Sequence, residues 1–276
     1  MTNTHCIPSR LRQGTLVMTA MLLGACSISQ QQEVQLGQEQ AAQVSQQLPI
    51  LNDPTINSYV NSLGQQIASH TSRADLQWSF AVVNTDEVNA FALPGGFIYV
   101  NRGVLTRASN ESELGAVLGH EIEHVVRRHS VKQMEQMQGA NVGAGVLCAL
   151  TNVCNSGLAQ AGIQASGTLL FAKFGRDDEV QADEGGFQNE INAGLNPRGM
   201  LTFFEKLLAE EQQSNGGGAT ASWFSDHPGT QDRIADVQRM LNSTSAATLN
   251  RLRTDTQAFD NMKRRLAQLP PPPPAR

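Results

Sequence analysis

Residues 111–129 read ESELGAVLGHEIEHVVRRH, a stretch that decides the fold because it predicts one long helix carrying a pair of histidines. In a helix, His120 and His124 lie one turn apart on the same face, where two imidazoles can bind one metal ion. Glu121 projects beside them, where it can serve as a general base. The pattern His-Glu-x-x-His is typical of zinc-assisted peptide hydrolysis.

The residues around this motif favour a buried helix. Asn110 is a suitable N-cap, and Glu113 stands where a capping box places an acid. Acidic residues in the first turn and basic residues at the end match the helix dipole. A core helix with two incidental histidines is the alternative. It does not explain why polar side chains interrupt an apolar surface, where unpaired polar groups are costly.

Length and composition indicate a globular protein with room for one large domain or two small ones. The chain has 276 residues, of which 40% are hydrophobic and 16% are charged. Its formal net charge is −5, and no basic patch is interleaved with aromatic residues. This balance argues against nucleic acid as a partner.

The first 25 residues have the pattern of a targeting segment. A basic start is followed by an apolar stretch too short to cross a bilayer. Residues 23–26 (LGAC) resemble a bacterial lipobox, so residues 1–25 are predicted to be a lipoprotein signal peptide and Cys26 to be lipidated. Cleavage as a plain secretory signal is the alternative. Ser27 resembles the residue found in lipoproteins sent to the outer membrane, and residues 26–50 are predicted to be a Gln-rich tether leading into a weak helix.

Two further cysteines, Cys148 and Cys154, lie close in sequence in a chain predicted to reach an oxidising compartment. A disulfide that closes this short loop is predicted. Two free thiols and a redox pair are the alternatives, although the spacing is not Cys-x-x-Cys. Residues 139–167, rich in Gly and Ala, are predicted to form a helical hairpin beside the active site rather than a membrane span.

A small sheet is predicted before the metal-binding helix. Residues 76–83 alternate in polarity as a strand does, and residues 97–100 form a second strand after a Pro-Gly-Gly turn. Asn89, Ala90 and Phe91 are predicted to lie in an edge strand that can pair with an extended peptide substrate. A plain edge strand without a ligand is the alternative.

A second helix, over residues 176–194, is predicted to complete the metal site. Glu179 and Asp183 are four residues apart and share one face. A catalytic zinc site needs a third protein ligand and an open position, so Glu179 is predicted to be that ligand. Asp183 is expected to hydrogen-bond a ligand histidine. The ordinary acidic start of a helix is the alternative.

His227 lies in a Pro/Gly turn from which it can reach a cleft, with an exposed turn histidine as the alternative. His70 and His129 are predicted to be surface residues. The predicted domain covers residues 51–245, and residues 246–276 are predicted to form a helical or coil tail that ends in polyproline.

Four segments resemble, in this order, the periplasmic zinc endopeptidases of the BepA and LoiP kind, which share a metallopeptidase family with HtpX and the CAAX prenyl protease. The segments are NAFALPGGFIYV, LGHEIEHVVRRH, DEVQADEGG and SDHPGTQDRI. The resemblance implies an α+β, mostly helical gluzincin-type domain with a small sheet packed beside the His-Glu-x-x-His helix. It also implies one zinc ion held by His120, His124 and Glu179, with Glu121 as the general base.

The resemblance implies catalytic roles for three more residues. Asp183 corresponds to an acidic partner that the family uses as a proton donor, although its spacing favours a hydrogen bond to a ligand histidine. His227 corresponds to a histidine near the metal that stabilises the oxyanion or caps the site at rest. Arg233 matches the arginine of the same segment, so Arg233 or His227 is expected to steady the negative oxygen.

The expected function is zinc-dependent cleavage of extended or misfolded envelope proteins, in a periplasmic protein anchored by lipid to the outer membrane. Unfolded envelope polypeptides and outer-membrane assembly factors are the expected partners. One alternative is an envelope chaperone or assembly lipoprotein that binds unfolded outer-membrane proteins with little or no cleavage. Another is a structural zinc ion with four protein ligands, His227 being the fourth.

Overall fold

The computed structural model of the chain describes residues 27–137, 174–214 and 218–273. The predictions that lie outside the described residues concern the signal peptide, Cys26, the hairpin at 139–167, and Cys148 with Cys154. Within the described ranges, no helix has the length and apolar character needed to cross a membrane.

The described residues form a mostly helical α+β structure with one small sheet, as predicted. Its elements are α1 (Gln30–Gln47), α2 (Pro54–Ala68), β1 (Ser79–Val83), β2 (Ala90–Leu93), β3 (Phe97–Asn101), α3 (Arg102–Arg107), α4 (Glu111–Val126), α5 (Arg176–Asn192), α6 (Arg198–Gln213), α7 (Ala221–Asp226), α8 (Thr230–Ser243), α9 (Ala246–Leu249) and α10 (Gln257–Ala267). Residues 129–137 are also helical.

The sheet has the strand order β1-β3-β2, with β1 parallel and β2 antiparallel to β3. Gly95 and Gly96 make the turn between β2 and β3 with φ values of +79° and +103°, a region that glycine enters at little cost. Ile98 and Val100 of β3 face the main core, whereas Tyr99 faces the opposite side. Because β2 is the last strand in the order β1-β3-β2, it lies at an edge of the described sheet.

Helix α1 covers the second face of the sheet, where the polar composition predicts a tether. Val44 is buried against the sheet, and Gly37 lies so close to the β2–β3 turn that a Cβ would stand 1.9 Å from the carbonyl oxygen of Pro94. Glu33 is fully buried and pairs with Arg73 at 2.7 Å. Ion pairs of Glu33 with Arg73 and Arg128, together with the close approach at Gly37, fix the helix, and hydropathy does not reveal these contacts.

Helix α4 runs through the centre of the molecule and packs along α5. Its N-cap is the predicted one, because the Asn110 side chain accepts a hydrogen bond from the backbone of Glu113 at 3.0 Å. The two helices approach closely because small residues face each other. A Cβ on Gly186 would stand 3.0 Å from the backbone nitrogen of His120. This contact brings the acidic face of α5 against the paired histidines.

The segment that follows the predicted domain boundary at residue 245 packs against the domain. Phe259, Met262 and Leu266 of α10 are buried in the main core. Lys263 donates hydrogen bonds of 2.7–2.8 Å to three carbonyl groups at the end of α3. In return, Arg102 of α3 donates to the carbonyl of Pro270 at 2.6 Å and to that of Leu266 at 3.4 Å.

Candidate metal centre

Four buried side chains from three parts of the chain converge on one point. His120 and His124 come from α4, Glu179 from α5, and His227 from the end of α7. One ligand atom of each lies within 4.8 Å of the others. The Nε2 atoms of the paired histidines are 3.0 Å apart, and each lies 3.4 Å from a carboxylate oxygen of Glu179. The structure thus brings together the three predicted metal ligands.

The electrostatics of this cluster favour a cation. Burial lowers the pKa of His124 to about 3, so its ring is neutral and can coordinate. Burial also acts to lower the pKa of His120, but the attraction of Glu179 and the hydrogen bond to Asp183 outweigh it and raise the pKa to about 9. A site that holds a proton so firmly attracts positive charge. Two imidazole nitrogens and a carboxylate are a donor set that suits a divalent metal ion.

Glu121 lies beside the cluster without a partner. Its side chain is fully buried, and neither carboxylate oxygen has a hydrogen-bonding partner among the described residues. Nε2 of His227 lies 3.6 Å from Oε1 of Glu121. Burial raises the pKa of Glu121. An unpartnered buried carboxylate is costly, and its position fits a group that handles a proton next to a bound metal.

Asp183 and Arg233 form a buried ion pair beneath the site. The Asp183 carboxylate lies 2.9 Å from Nδ1 of His120 and accepts hydrogen bonds of 2.6 and 2.7 Å from Arg233. Burial acts to raise the pKa of Asp183, but Arg233 and His120 outweigh it, so the pKa is lowered. The carboxylate therefore remains ionised. An ionised Asp183 orients His120 and is not suited to the role of proton donor that the sequence resemblance implies.

Arg233 is 1% exposed and its guanidinium also lies 2.8 Å from Glu179. Its Nε and Nη2 donate hydrogen bonds to Asp183, whereas Nη1, the atom near Glu179, makes no hydrogen bond among the described residues. The guanidinium neutralises the acids that hold the site together, and its expected role in steadying a negative oxygen of the substrate stays a prediction.

His227 joins the metal centre to the edge strand. Its Nδ1 lies 3.3 Å from Nε2 of His120, and its Nε2 lies 3.4 Å from the carbonyl oxygen of Ala90. Trp223, fully buried, packs against the imidazole with ring centres 4.5 Å apart. The alternative of an exposed turn histidine is wrong, since His227 is 2% exposed.

The backbone groups on the outer edge of β2 are not all from the predicted residues Asn89, Ala90 and Phe91. The backbone oxygen of Asn89 accepts a hydrogen bond from Asn101 of the β3 side, and its side chain donates to Asp226 at 2.8 Å. Because antiparallel strands alternate, the backbone groups of Ala90 and Ala92 point away from β3. The outward edge beside the metal centre therefore includes Ala92, and Asn89 helps to hold the loop that carries His227.

His129, predicted to lie at the surface, is buried at 2% exposure. Its Nδ1 is 2.9 Å from Nδ1 of His124. In an unbroken helix a residue five positions on would point elsewhere, but Arg128 has φ +58° and turns the chain back. Helical periodicity therefore gave no signal for this contact. Phe174, also missed, stacks on His124 with ring centres 4.0 Å apart. His70 is exposed, as predicted.

Comparison with known proteins agrees with this geometry. The model of Peptidase family M48 matches residues 54–241, which include all four converging side chains. The Beta-barrel assembly-enhancing protease of Escherichia coli K12 is 34% identical over 223 residues, 76% of this chain and 44% of that protein. The Metalloprotease LoiP of the same organism is 28% identical over 189 residues, 68% of this chain and 70% of that protein.

A third relative, the Metalloprotease YcaL of Escherichia coli K12, is 30% identical over 166 residues, 60% of this chain and 63% of that protein. The chain spans less than half the length of the beta-barrel assembly-enhancing proteases that it matches. The resemblance of the four sequence segments is confirmed by these matches. The chain belongs to Peptidase family M48, a family of metallopeptidases.

Proposed function

We propose that the chain is a zinc-dependent endopeptidase that cleaves extended or misfolded polypeptides of the bacterial envelope. The observation that carries this proposal is the convergence of His120, His124 and Glu179 beside the unpartnered carboxylate of Glu121. These three donors would hold one zinc ion and match the ligand number of catalytic rather than structural zinc sites.

Glu121, His227 and Asp183 have different roles in the proposed hydrolysis. Zinc, when bound, supplies Lewis-acid polarisation of the peptide carbonyl and lowers the pKa of water. Glu121 takes the proton of the attacking water and returns it to the leaving amine, and a pKa raised by burial suits both transfers. His227 donates a hydrogen bond to the developing negative oxygen. Asp183 keeps the proton of His120 on Nδ1 and so leaves Nε2 free to coordinate.

An extended polypeptide fits the edge strand next to these groups. The backbone of β2 runs past His227, and Ala92 presents its outward N–H and C=O groups on the edge. A substrate segment can add as a further strand, which recognises the backbone rather than a particular side chain. Such recognition suits unfolded or misassembled proteins, whose backbones are accessible.

The cellular setting of the proposal is the envelope of a Gram-negative bacterium. It is supported by the name of the relative Beta-barrel assembly-enhancing protease and by the lipobox resemblance at Cys26. We propose that the protein is held by lipid at the outer membrane and acts on envelope polypeptides there. Contact with outer-membrane assembly factors belongs to the same proposal.

The substitution Glu121→Gln tests the proposed reaction. It keeps the size of the side chain but removes the proton acceptor, so cleavage of an unfolded protein such as casein is expected to fall by at least about 100-fold. Zinc content, measured on the purified protein, is expected to stay at one ion per chain because Glu121 is not a ligand. Glu184→Gln, an exposed change on α5, is the matched control and should cleave like the native protein.

The same variant separates cleavage from binding alone. An envelope chaperone that uses the same edge strand would hold unfolded polypeptides without needing Glu121. If the Glu121→Gln variant fully replaces the native protein in a deletion strain, the proposed protease function is wrong. A structural zinc ion would instead give a native protein that holds zinc and cleaves no more than Glu121→Gln.

A further inference from the structure

His129 contacts a predicted metal ligand from the side opposite the metal centre. Its Nδ1 lies 2.9 Å from Nδ1 of His124, while Nε2 of His124 faces Glu179 at 3.4 Å. Both rings are buried and stand nearly perpendicular, with their centres 5.0 Å apart. The contact is therefore a hydrogen bond between two ring nitrogens, not a stacking of apolar surfaces.

Coordination of a metal ion by His124 would fix where the protons of the two rings lie. One of the two Nδ1 atoms must donate and the other must accept, since one proton lies between them. When Nε2 of His124 uses its lone pair to hold a metal ion, the proton of His124 is on Nδ1 and is donated to His129. His129 then carries its own proton on Nε2, which lies 3.6 Å from a carboxylate oxygen of Asp178, too far for a hydrogen bond. Asp178 directly precedes Glu179 in α5.

A left-handed turn delivers His129 to this position. Arg128 has φ +58°, a left-handed conformation that residues with a side chain rarely adopt. The turn is held from α1, because the buried carboxylate of Glu33 accepts a hydrogen bond from Arg128 at 2.8 Å. Arg73 pairs with the same carboxylate and also donates to the carbonyl of Val125 at 2.9 Å. An ion cluster thus fixes the chain on both sides of the turn.

We propose that His129 is a positioning residue that holds the metal-coordinating tautomer and orientation of His124, in a turn fixed by Glu33 of α1. His120 has an equivalent support in Asp183. The two ligand histidines are therefore supported differently, one by a carboxylate and the other by a neutral imidazole. The inference deepens the proposed function, since it rests on a metal ion bound at this site.

Two substitutions of the same shape test the inference. Asn places an oxygen where Nδ1 of His129 stands, whereas Leu has the same branching and no acceptor. For His129→Leu, zinc affinity measured by chelator competition is expected to fall by about 10- to 100-fold, the usual effect of removing a partner of a metal-bound histidine. His129→Asn is expected to retain most of the native affinity. The absorption spectrum of the cobalt-loaded protein should change in His129→Leu and stay native-like in His129→Asn.

Each result bears on a distinct claim. Equal zinc affinity in His129→Leu and the native protein overturns the inference, and so does an equal loss in both variants, which would show that only packing matters. If His129→Leu does not fold, as judged by thermal unfolding in chelator, His129→Gln replaces it as a variant with a displaced polar group and the same expected loss. A native protein that binds no zinc overturns the proposed function itself.

Discussion

Asp183 accepts a hydrogen bond from one metal ligand and neutralises a buried guanidinium at the same time. Replacing it by Asn keeps the shape but removes the charge that faces His120 and Arg233. Zinc affinity is expected to fall by about 10- to 100-fold because His120 loses its anionic partner. The free energy of unfolding should also fall, by roughly 3 kcal/mol, because a buried cation loses a partner.

Chelator competition and denaturant unfolding measure the two effects of Asp183→Asn. Asp232→Asn is the control, because its carboxylate takes part in an exposed ion pair with Arg176 and should contribute little. Unchanged zinc affinity in Asp183→Asn would mean that Arg233 alone is enough to orient the site.

The residues that converge at the candidate metal centre were predictable, and the residues that contact them from outside were predictable only in part. His120 and His124 follow from helical spacing, and Glu179 from the need for a third ligand. His129 did not, because its position depends on the backbone conformation of Arg128, which no periodicity encodes. The pairing of Arg233 with Asp183 joins residues 50 positions apart, and only the packing of α8 against α5 creates it.

At the level of elements, α5 carries a buried acid that the proposed mechanism does not use. Glu190 is fully buried, and neither oxygen has a hydrogen-bonding partner among the described residues. It lies against Gly115 of α4 and near Leu195. Burial raises the pKa of Glu190 well above its ordinary value of 4.5. The native fold therefore favours the protonated acid.

This raised pKa gives stability a definite dependence on pH. Above pH 4.5 the unfolded chain loses the proton of Glu190 and the folded chain keeps it, so stability falls as pH rises toward the folded pKa. Glu190→Gln imitates the protonated acid and removes this loss. It is expected to match the native protein at pH 5 and to be more stable by about 1–3 kcal/mol at pH 8. Urea unfolding at both values measures the difference, and equal stability at pH 8 would contradict the assignment.

The other elements differ in how well their sequences predict their bounds and their buried faces. α2 and α4 have capping residues and apolar repeats, so their starts and faces were predictable. α1 is rich in glutamine, and its fixing points are Glu33 and Gly37. An acid and a glycine on a polar helix indicate solvent exposure unless their distant partners, such as Arg73, are known.

At the level of the whole molecule, the domain extends beyond the region shared with the family. The family model matches residues 54–241, while α1 and α10 pack on the structure from either side of it. α10 contributes Phe259, which packs edge-on against Tyr59 of α2 with ring centres 6.2 Å apart. Residues on the opposite face of α10, such as Asn261, are exposed.

Phe259→Ala tests whether α10 belongs to the folding unit. The substitution is expected to lower the free energy of unfolding by about 3–5 kcal/mol, as removal of a buried aromatic ring does. Asn261→Ala, on the same helix, should stay within about 0.5 kcal/mol of the native protein. Denaturant unfolding measures both. A Phe259→Ala variant as stable as the control would show that the packing of α10 does not stabilise the domain.

Helices α3 and α10 each donate hydrogen bonds to the C-terminal carbonyl groups of the other, and this has a consequence for local unfolding. Lys263 covers the carbonyl end of α3, and Arg102 at the start of α3 covers that of α10. Fraying of α3 would leave Lys263 of α10 without its acceptors, and fraying of α10 would do the same to Arg102 of α3. The two segments should therefore open as one cooperative unit. In native-state amide hydrogen exchange, the protons of α3 and α10 would then share a single opening free energy, although 150 residues separate them in the chain.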